Sequence, residues 1–288
     1  GAWVDLGDES AGPYDPHGIY ITDGSYVMNV AELQINITNW GLIGSWYSNA
    51  TTFSDAPSAQ WPAGSGNEYL WGAQHKYRET LLLFPTQGQT CHSYCTFCFR
   101  WAQFVQNKDL RMAAREAATM HEYLQSHEEV TDLLVTGGDP MVMKARLLEE
   151  YLFPLTGPEF AHVQTIRIGT KSLSFWPYRY VTDSDADNVL RLFARLRRRG
   201  KHVAVMAHFD HWREMETPVV REAVRRIRST GAVIRTQAPV LRHINDRADI
   251  WATMWRNQVR MGMVPYYMFV ERDTGARRYF ELPLEQTW

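Results

Sequence analysis

Three cysteines are the residues of this chain whose spacing points most directly to chemistry. Cys91, Cys95 and Cys98 are the only cysteines among 288 residues, and they lie within one stretch of eight. A loop with the spacing C-x3-C-x2-C can wrap three thiolates around three irons of a cube, and thiolates are the usual ligands of iron–sulfur clusters. A disulfide framework would need an even number of cysteines spread along the chain. The cluster of thiols therefore predicts a metal site in a reducing compartment.

Three protein ligands leave one iron of a 4Fe–4S cube open. An open iron can chelate the amino and carboxylate groups of S-adenosylmethionine (SAM), and an electron delivered there breaks the sulfonium carbon–sulfur bond to give a 5′-deoxyadenosyl radical. Two alternatives remain at this point. One is a structural zinc site with His92 as fourth ligand, and the other is a set of three unrelated free thiols. A four-cysteine electron carrier would need a ligand that this chain lacks.

A second motif follows the second predicted strand and reads Thr136-Gly137-Gly138-Asp139-Pro140. Glycines let a backbone approach a ligand closely, and a carboxylate can accept hydrogen bonds from an ammonium group. The alternative is an ordinary turn at the end of a strand. Because the motif comes one strand after the cysteine loop, we expect it to contribute to the same site.

The elements that must position these motifs alternate between short apolar runs and amphipathic helical patterns. Such alternation predicts parallel β/α units. Six units are too few for a complete eight-stranded barrel, so we expect a partial (β/α)6 barrel with its chemistry at the C-terminal ends of the strands. The predicted strands are 81–84, 132–135, 163–168, 203–206, 232–235 and 264–270, and the predicted helices are 109–126, 143–152, 184–199, 218–229 and 246–261.

Composition narrows the function classes further. The formal net charge of −2 gives no global basic field that would indicate nucleic acid or anionic lipid as a partner. No apolar run of about 18 residues predicts a membrane span, and no secretory signal is visible at the N-terminus. We therefore expect a cytoplasmic protein. Residues 1–74 are rich in small polar and aromatic residues and are predicted to be an N-terminal extension, which could cap the barrel, cover the substrate, form a subunit interface or simply pack into a core.

The cysteine loop, the T-G-G-D-P turn and the segment 166–170 together resemble the lysine 2,3-aminomutase family of radical SAM enzymes. The likeness continues through residues 236–241 and covers about residues 75–283. It implies an α/β fold, a partial (β/α)6 radical SAM barrel over 75–288, behind the extension. It also implies a 4Fe–4S cluster on the three cysteines, and SAM bound near Gly137, Gly138, Asp139, Arg167, Thr170 and Gln237.

The resemblance also suggests residues for the substrate. Arg100 matches a family arginine that pairs with the substrate carboxylate, a task that suits the guanidinium fork. Glu271 and Asp273 occupy the zone where the family holds a distant amino group. From its position after the fourth strand, His208 could act as a proton donor or hydrogen-bond partner. Together with Arg100 and Gln237, it makes up the candidate catalytic residues. The alternatives are a surface arginine, a solvated loop and a structural histidine.

The chain departs from the family at the site for pyridoxal phosphate (PLP). That cofactor needs a lysine for its Schiff base, and the family carries it beyond the last barrel strand. Here no lysine follows Lys201, and Thr80 stands where the family has an arginine that helps to hold the PLP phosphate. Two independent features of the site are absent, so we predict a protein that works without PLP.

The sequence thus predicts a radical SAM enzyme that abstracts hydrogen from a small, carboxylate-bearing substrate such as an amino acid. Rearrangement, epimerisation, oxidation or elimination could follow, and the electron would come from a donor such as flavodoxin or ferredoxin. One alternative is a PLP-dependent amino acid 2,3-aminomutase with its C-terminal part missing. Another is a non-catalytic protein that binds a cluster or zinc.

Overall fold

A seven-stranded sheet organises the chain in a computed structural model that describes residues 72–98, 114, 116–270 and 276–287. The sheet belongs to one structural unit, whose described residues are 72–95, 114, 116–270 and 279–287. Its strands lie side by side in chain order. They are β1 Ala73–Tyr77, β2 Thr80–Leu83, β3 Asp132–Val135, β4 Thr165–Thr170, β5 His202–His208, β6 Val233–Val240 and β7 Val264–Val270.

Strands β2 to β7 are parallel, and they are the six strands that the alternating pattern predicts. Strand β1 is an addition that pairs antiparallel with β2, with Ala73 opposite Leu83. Its sequence, Ala-Gln-His-Lys-Tyr, has no apolar alternation and so gave no strand signal. Because β1 and β7 each pair with a single neighbour, the sheet is open, and the prediction of a partial barrel is confirmed.

Helices follow most of the parallel strands, as β/α units require. No helix in the ranges that the structure describes is both long and apolar enough to cross a membrane. Four of the five predicted helices are present with ends shifted by at most two residues. The prediction for 109–126 was wrong at its start, because Ala114 forms a β-bridge with Pro85 and the helix begins only at Ala117; residues 109–113 and 115 lie outside the described residues. The helices are α1 Ala117–Ser126, α2 Ala145–Leu152, α3 Ser172–Phe175, α4 Ala186–Arg198, α5 Pro218–Ser229, α6 Ala248–Arg260, α7 Arg277–Phe280 and α8 Leu284–Thr287.

The two faces of the sheet differ in burial. On β4, Ile166 and Ile168 are fully buried, whereas Arg167 on the opposite face is only partly buried. Strand β6 repeats the pattern with Ile234 buried and Arg235 partly exposed. We call the less buried side the open face. Near the N-terminal ends of the strands, this face carries charged residues such as Arg167 and Arg235. Near the C-terminal ends, it carries the candidate site residues His208 and Gln237.

Candidate functional site

The cysteine loop, residues 90–98, begins just beyond the C-terminal end of β2, after a 3-10 turn over Thr86–Gly88. Its three cysteines are partly buried, and none forms a disulfide. The backbone N–H of Ser93 donates to Cys91 Sγ at 3.3 Å. Hydrogen bonds to thiolate sulfur are among the contacts that tune protein-bound iron–sulfur clusters. Cys91 and Cys95 therefore present thiols of the right chemistry at the edge where parallel sheets carry their sites.

The donor chemistry of this loop fits an iron–sulfur cluster, because three thiolates along one short segment are the usual ligands of such clusters. Among the described residues, no three His, Cys, Asp or Glu side chains gather closely enough to hold one metal ion. A structural zinc ion needs four ligands around one point. A cubane spreads its ligands, with one thiolate on each iron. The residue types of the loop fit a 4Fe–4S cluster, and the zinc alternative stays open.

Gly138 packs directly on the residues that lead into the cysteine loop. A Cβ atom at Gly138 would lie 2.4 Å from Thr90 O and 2.5 Å from Gln89 O. The next amide, Asp139 N–H, donates to Thr90 O at 2.9 Å. Gly137 has a φ of +136° and faces the Gln89 side chain. The glycines are thus required by the protein's own backbone, and their role in holding SAM stays a prediction.

This close approach makes Gly138→Ala a sharp test of how the loop is placed. A methyl group here meets two backbone oxygens that cannot swing away, so we expect the loop to shift. Overpacking of this kind costs about 1–3 kcal/mol in the free energy of unfolding. We expect iron bound after anaerobic reconstitution to fall as well, measured as iron and sulfide per chain.

Gly169→Ala is the matched control for that substitution. A Cβ at Gly169 would approach nothing closer than 3.5 Å, which is ordinary van der Waals contact. This variant should bind iron as the wild type does. Equal iron content in the Gly138→Ala protein would show that the loop does not depend on the glycine turn.

Asp139 ties the end of β3 to the end of β4. Its carboxylate is buried and accepts hydrogen bonds from Met141 N at 2.9 Å, from Thr170 Oγ1 at 2.7 Å and from Lys171 N at 2.8 Å. His92 Nε2 lies 3.5 Å away. Burial raises the pKa of Asp139 despite these partners. The structure therefore brings Asp139 and Thr170 together but uses both side chains internally, and their contact with SAM stays a prediction.

A buried charge cluster lies beside this network, after β4 and β5. Lys171 Nζ is 2.6 Å from Asp210 Oδ2 and 3.2 Å from Glu214 Oε1. His208 Nε2 is 2.6 Å from the other oxygen of the Asp210 carboxylate. The side chains of Lys171 and Asp210 are only 6% and 7% exposed. Such a pair is stable only because each charge has its partners.

The pKa values of the pair move in the directions that keep both groups charged. Burial alone would raise the pKa of Asp210, but the neighbouring His208 and Lys171 hold it well below its usual range. Burial alone would lower the pKa of Lys171. The negative charges around it, with Asp210 first and the Cys95 thiolate among them, raise the pKa instead. Lys171 is therefore a fixed ammonium close to the cysteine loop.

Two further predicted site residues, Gln237 and Arg167, lie on the open face at different positions along their strands. Gln237 is paired in register with His208 at the C-terminal end of the sheet. Arg167 points the other way, because its Nε donates to Asp132 Oδ1 at 2.9 Å at the start of β3. The structure thus brings Gln237 and His208 together and leaves Arg167 apart from them. Their proposed roles with SAM stay predictions.

One cavity of about 190 Å³ adjoins the cysteine loop. It is smaller than the roughly 300–1,000 Å³ typical of pockets for drug-sized ligands. By itself it does not mark a site for a molecule as large as SAM. It is lined by His92 and by the segments after β3 and β4, namely Met141, Val142, Met143, Lys144, Ser172, Trp176, Arg179, Asp183 and Asp185.

The predicted substrate residues Arg100, Glu271 and Asp273 lie outside the described residues, as does almost all of the predicted extension. Two features of the site escaped the sequence analysis. The pairing of Lys171 with Asp210 joins positions 39 residues apart, and no local pattern reports such a contact. The tight packing of Gly138 on Thr90 likewise depends on the strand register.

Comparison with curated protein sequences shows which proteins this chain is related to. The chain is 36% identical over 217 residues to an Aquifex aeolicus protein named as an L-lysine 2,3-aminomutase, a match that covers 75% of this chain and 55% of the relative. The L-lysine 2,3-aminomutase of Escherichia coli is 28% identical over 213 residues, which cover 72% of this chain and 57% of that protein. This chain belongs to the lysine 2,3-aminomutase-like family of radical SAM proteins. The predicted family is thereby confirmed.

Other comparisons set the limits of that relationship. The family includes a glutamate 2,3-aminomutase of Clostridioides difficile, 27% identical over 223 residues, or 76% of this chain and 49% of the relative. The chain spans about half the length of the curated relatives it matches. No family model matches it. A crystal structure of a radical SAM methyltransferase from Sphaerobacter thermophilus is 13% identical, with a TM-score of 0.47, over 73% of this chain and 62% of that one.

Proposed function

We propose that this protein is a radical SAM enzyme that abstracts hydrogen from a small, carboxylate-bearing substrate and does so without PLP. The observation that carries the proposal is the C-x3-C-x2-C loop at the C-terminal edge of a parallel sheet, in a chain of this family. When bound, the 4Fe–4S cluster supplies the electron that cleaves SAM to a 5′-deoxyadenosyl radical. The protein's own residues hold the loop, the substrate and any proton that moves.

The placement of two lysines supports independence from PLP. A Schiff base needs a neutral amine, and Lys171 is instead an ammonium held by Asp210 and Glu214. Lys201 has a pKa lowered by burial, as an imine-forming lysine would. However, it directly precedes β5, at the N-terminal edge of the sheet, and donates to Phe160 O at 2.8 Å. Neither lysine offers a free amine beside the cysteine loop.

Lys144 is the third and last lysine whose side chain the structure describes. It is exposed and lies just before α2.

The absence of an imine bears on the reaction that follows hydrogen abstraction. An imine is the group that makes a 1,2-shift of an amino group favourable. A carbon radical on an amino acid needs no imine to be epimerised or oxidised. The proposal therefore favours epimerisation, oxidation or elimination over amino migration, with Arg100 as the candidate partner of the substrate carboxylate.

Transfer of deuterium from a labelled substrate into 5′-deoxyadenosine tests this function directly. The chain is loaded anaerobically with iron and sulfide, reduced, and given SAM with a mixture of deuterated amino acids and 2-hydroxy acids. We expect mass spectrometry to find deuterated 5′-deoxyadenosine without added PLP. Cluster-loaded protein that yields none with any member of the mixture would contradict the proposal.

Adding PLP to the same reaction separates the aminomutase alternative, which the names of the relatives favour. We expect no imine absorption band and no gain in turnover. A PLP-dependent band together with a shifted amino group in the product would instead establish an aminomutase. Reduced flavodoxin or ferredoxin in place of a chemical reductant tests the proposed electron donor.

A further inference from the structure

Two arginines lie on the open face of the sheet, and they differ in their partners. Arg167 on β4 donates from Nε to Asp132 Oδ1 at 2.9 Å and from Nη2 to the other oxygen of that carboxylate. Asp132 is the only acidic residue in the seven strands. Within the described ranges, no acidic side chain lies within ion-pairing distance of Arg235 on β6. Arg235 is thus a cation on this face whose counter-charge the described residues do not supply.

The contacts of Arg235 orient its guanidinium but use few of its donors. Its Cζ lies 5.2 Å from the centre of the Tyr266 ring on the neighbouring β7, within the range of a cation–π contact. Its Nη2 lies 3.5 Å from His202 Nε2, a long distance for a hydrogen bond. A guanidinium has five N–H groups, all donors in a fixed plane. Most of them therefore stay available to an acceptor that comes from outside the protein.

The layer of the open face that contains Arg235 also has room for such an acceptor. Arg235 is paired in register with Met206, which is paired in turn with Gly169 on β4. A Cβ atom at Gly169 would meet nothing closer than Thr136 Oγ1 at 3.5 Å. Because Gly169 has no side chain, this layer is less filled than the other layers of the sheet.

Arg235 lies one layer deeper than the predicted site residue Gln237. Side chains alternate along a strand, so positions 235 and 237 share a face and are separated by about 6–7 Å. Gln237 is paired with His208 at the C-terminal edge of the sheet, where the proposed reaction takes place. A substrate chain of a few carbon atoms spans the distance from that edge to the guanidinium.

We propose that Arg235 binds a second anionic group at the far end of the substrate, which is therefore a 2-amino or 2-hydroxy dicarboxylic acid. This inference rests on the function proposed above. The first carboxylate lies beside the reacting carbon at the edge of the sheet, so the deeper arginine is left for a group at the other end. A guanidinium fork binds a carboxylate through two parallel hydrogen bonds. The bound carboxylate would also supply the missing counter-charge, whereas a cationic end would be repelled.

Pairs of acids and amides of the same shape test this preference. L-Glutamate is compared with L-glutamine, L-aspartate with L-asparagine, and the corresponding 2-hydroxy acids with their amides, all deuterated. The measurement is kcat/KM for transfer of deuterium into 5′-deoxyadenosine. We expect the wild type to prefer the acid of at least one pair by about 100-fold, as two hydrogen bonds to a charged group would give. Arg235→Gln should reduce that preference to about one, chiefly through the KM of the acid.

Arg221→Gln is the matched control, because Arg221 is an exposed arginine of α5 and the substitution makes the same change in charge. It should keep the preference of the wild type. A wild type that uses the acid and the amide of every pair equally well would overturn the proposal, whether or not the Arg235 variant folds. A preference that survives in Arg235→Gln would overturn it too.

Isothermal titration calorimetry gives a second readout that does not depend on turnover. The preferred acid is titrated into cluster-loaded protein with SAM present and no reductant. We expect Arg235→Gln to bind it about 100-fold more weakly, and Arg235→Lys to fall between, since an ammonium keeps the charge but not the fork. An acid that the wild type binds no more tightly than its amide would overturn the proposal.

Failure of the proposed function would give a different result. If the wild type forms no deuterated 5′-deoxyadenosine with any acid or amide, hydrogen abstraction from this class of substrate is removed. The calorimetric comparison of each acid with its amide still reports whether Arg235 binds a second carboxylate.

Discussion

Replacing Cys95 by alanine will remove both the brown colour of the iron–sulfur cluster and the formation of 5′-deoxyadenosine. Three thiolates are the fewest that leave one iron open for SAM while holding the other three, and the chain has no fourth cysteine to substitute. The visible absorption spectrum, iron and sulfide per chain, and chromatography of the SAM products measure the effect. We expect product at the level of protein without iron.

Thr96→Ala is the matched control for that variant, since Thr96 is an exposed neighbour in the same loop. It should keep the colour and the cleavage of SAM. Retained SAM cleavage in Cys95→Ala would mean that the cluster is held in another way. About one zinc per chain, with no iron or sulfide in anaerobically purified wild type, would contradict the assignment altogether.

Lys171→Met should cost about 3–5 kcal/mol in the free energy of unfolding, the range for breaking a buried ion pair from one side. Removing the ammonium leaves the Asp210 carboxylate buried, with Glu214 as a second negative group close by. Methionine fills a similar volume, so the loss reports charge rather than a cavity. Urea denaturation at neutral pH, with the midpoint and slope measured for both proteins, gives the difference.

The sign of the pH dependence offers a further check on the same variant. Without Lys171 the pKa of Asp210 rises, so acid should stabilise the variant relative to neutral pH, and its deficit against the wild type should shrink as the pH falls. Arg225→Met is the control, because its ion pair with Glu222 lies at the surface and such pairs contribute little. A Lys171→Met protein as stable as the wild type would show that Asp210 is not ionised.

The sequence predicted the parallel strands well because each is a short apolar run bounded by helices and turns. Strand β1 was not predicted, because an edge strand need not be apolar. Its pairing with β2 is a tertiary contact, which the local sequence does not report. Helix ends moved by a few residues because capping depends on neighbours. The helix predicted from residue 184 begins at Ala186; Asp185 precedes it, and its side chain accepts from Ala145 N at 2.6 Å instead of capping its own helix.

The motifs of the site could be predicted from the sequence, whereas most contacts between their side chains could not. The cysteine spacing and the glycine turn are local patterns, and both are found at the same edge of the sheet. The direction of a side chain along a strand is not local. Arg167, whose role near SAM stays a prediction, donates to Asp132, a contact that no local pattern predicts. The ion pair of Lys171 could not be predicted either, because no local pattern in the sequence indicates that Asp210 lies across from it.

The contact of Gly138 with Gln89 and Thr90 bears on the order in which the holoprotein is made. Those backbone atoms can meet only when β3 has docked against β2 in register. The pairing of β2 with β3 therefore constrains the path of the chain into Cys91. We expect the cluster to be inserted into an apoprotein whose sheet is already folded, in contrast to small zinc domains that stay unfolded until their ion binds. Apoprotein made under iron starvation should accept a cluster later, without a refolding step.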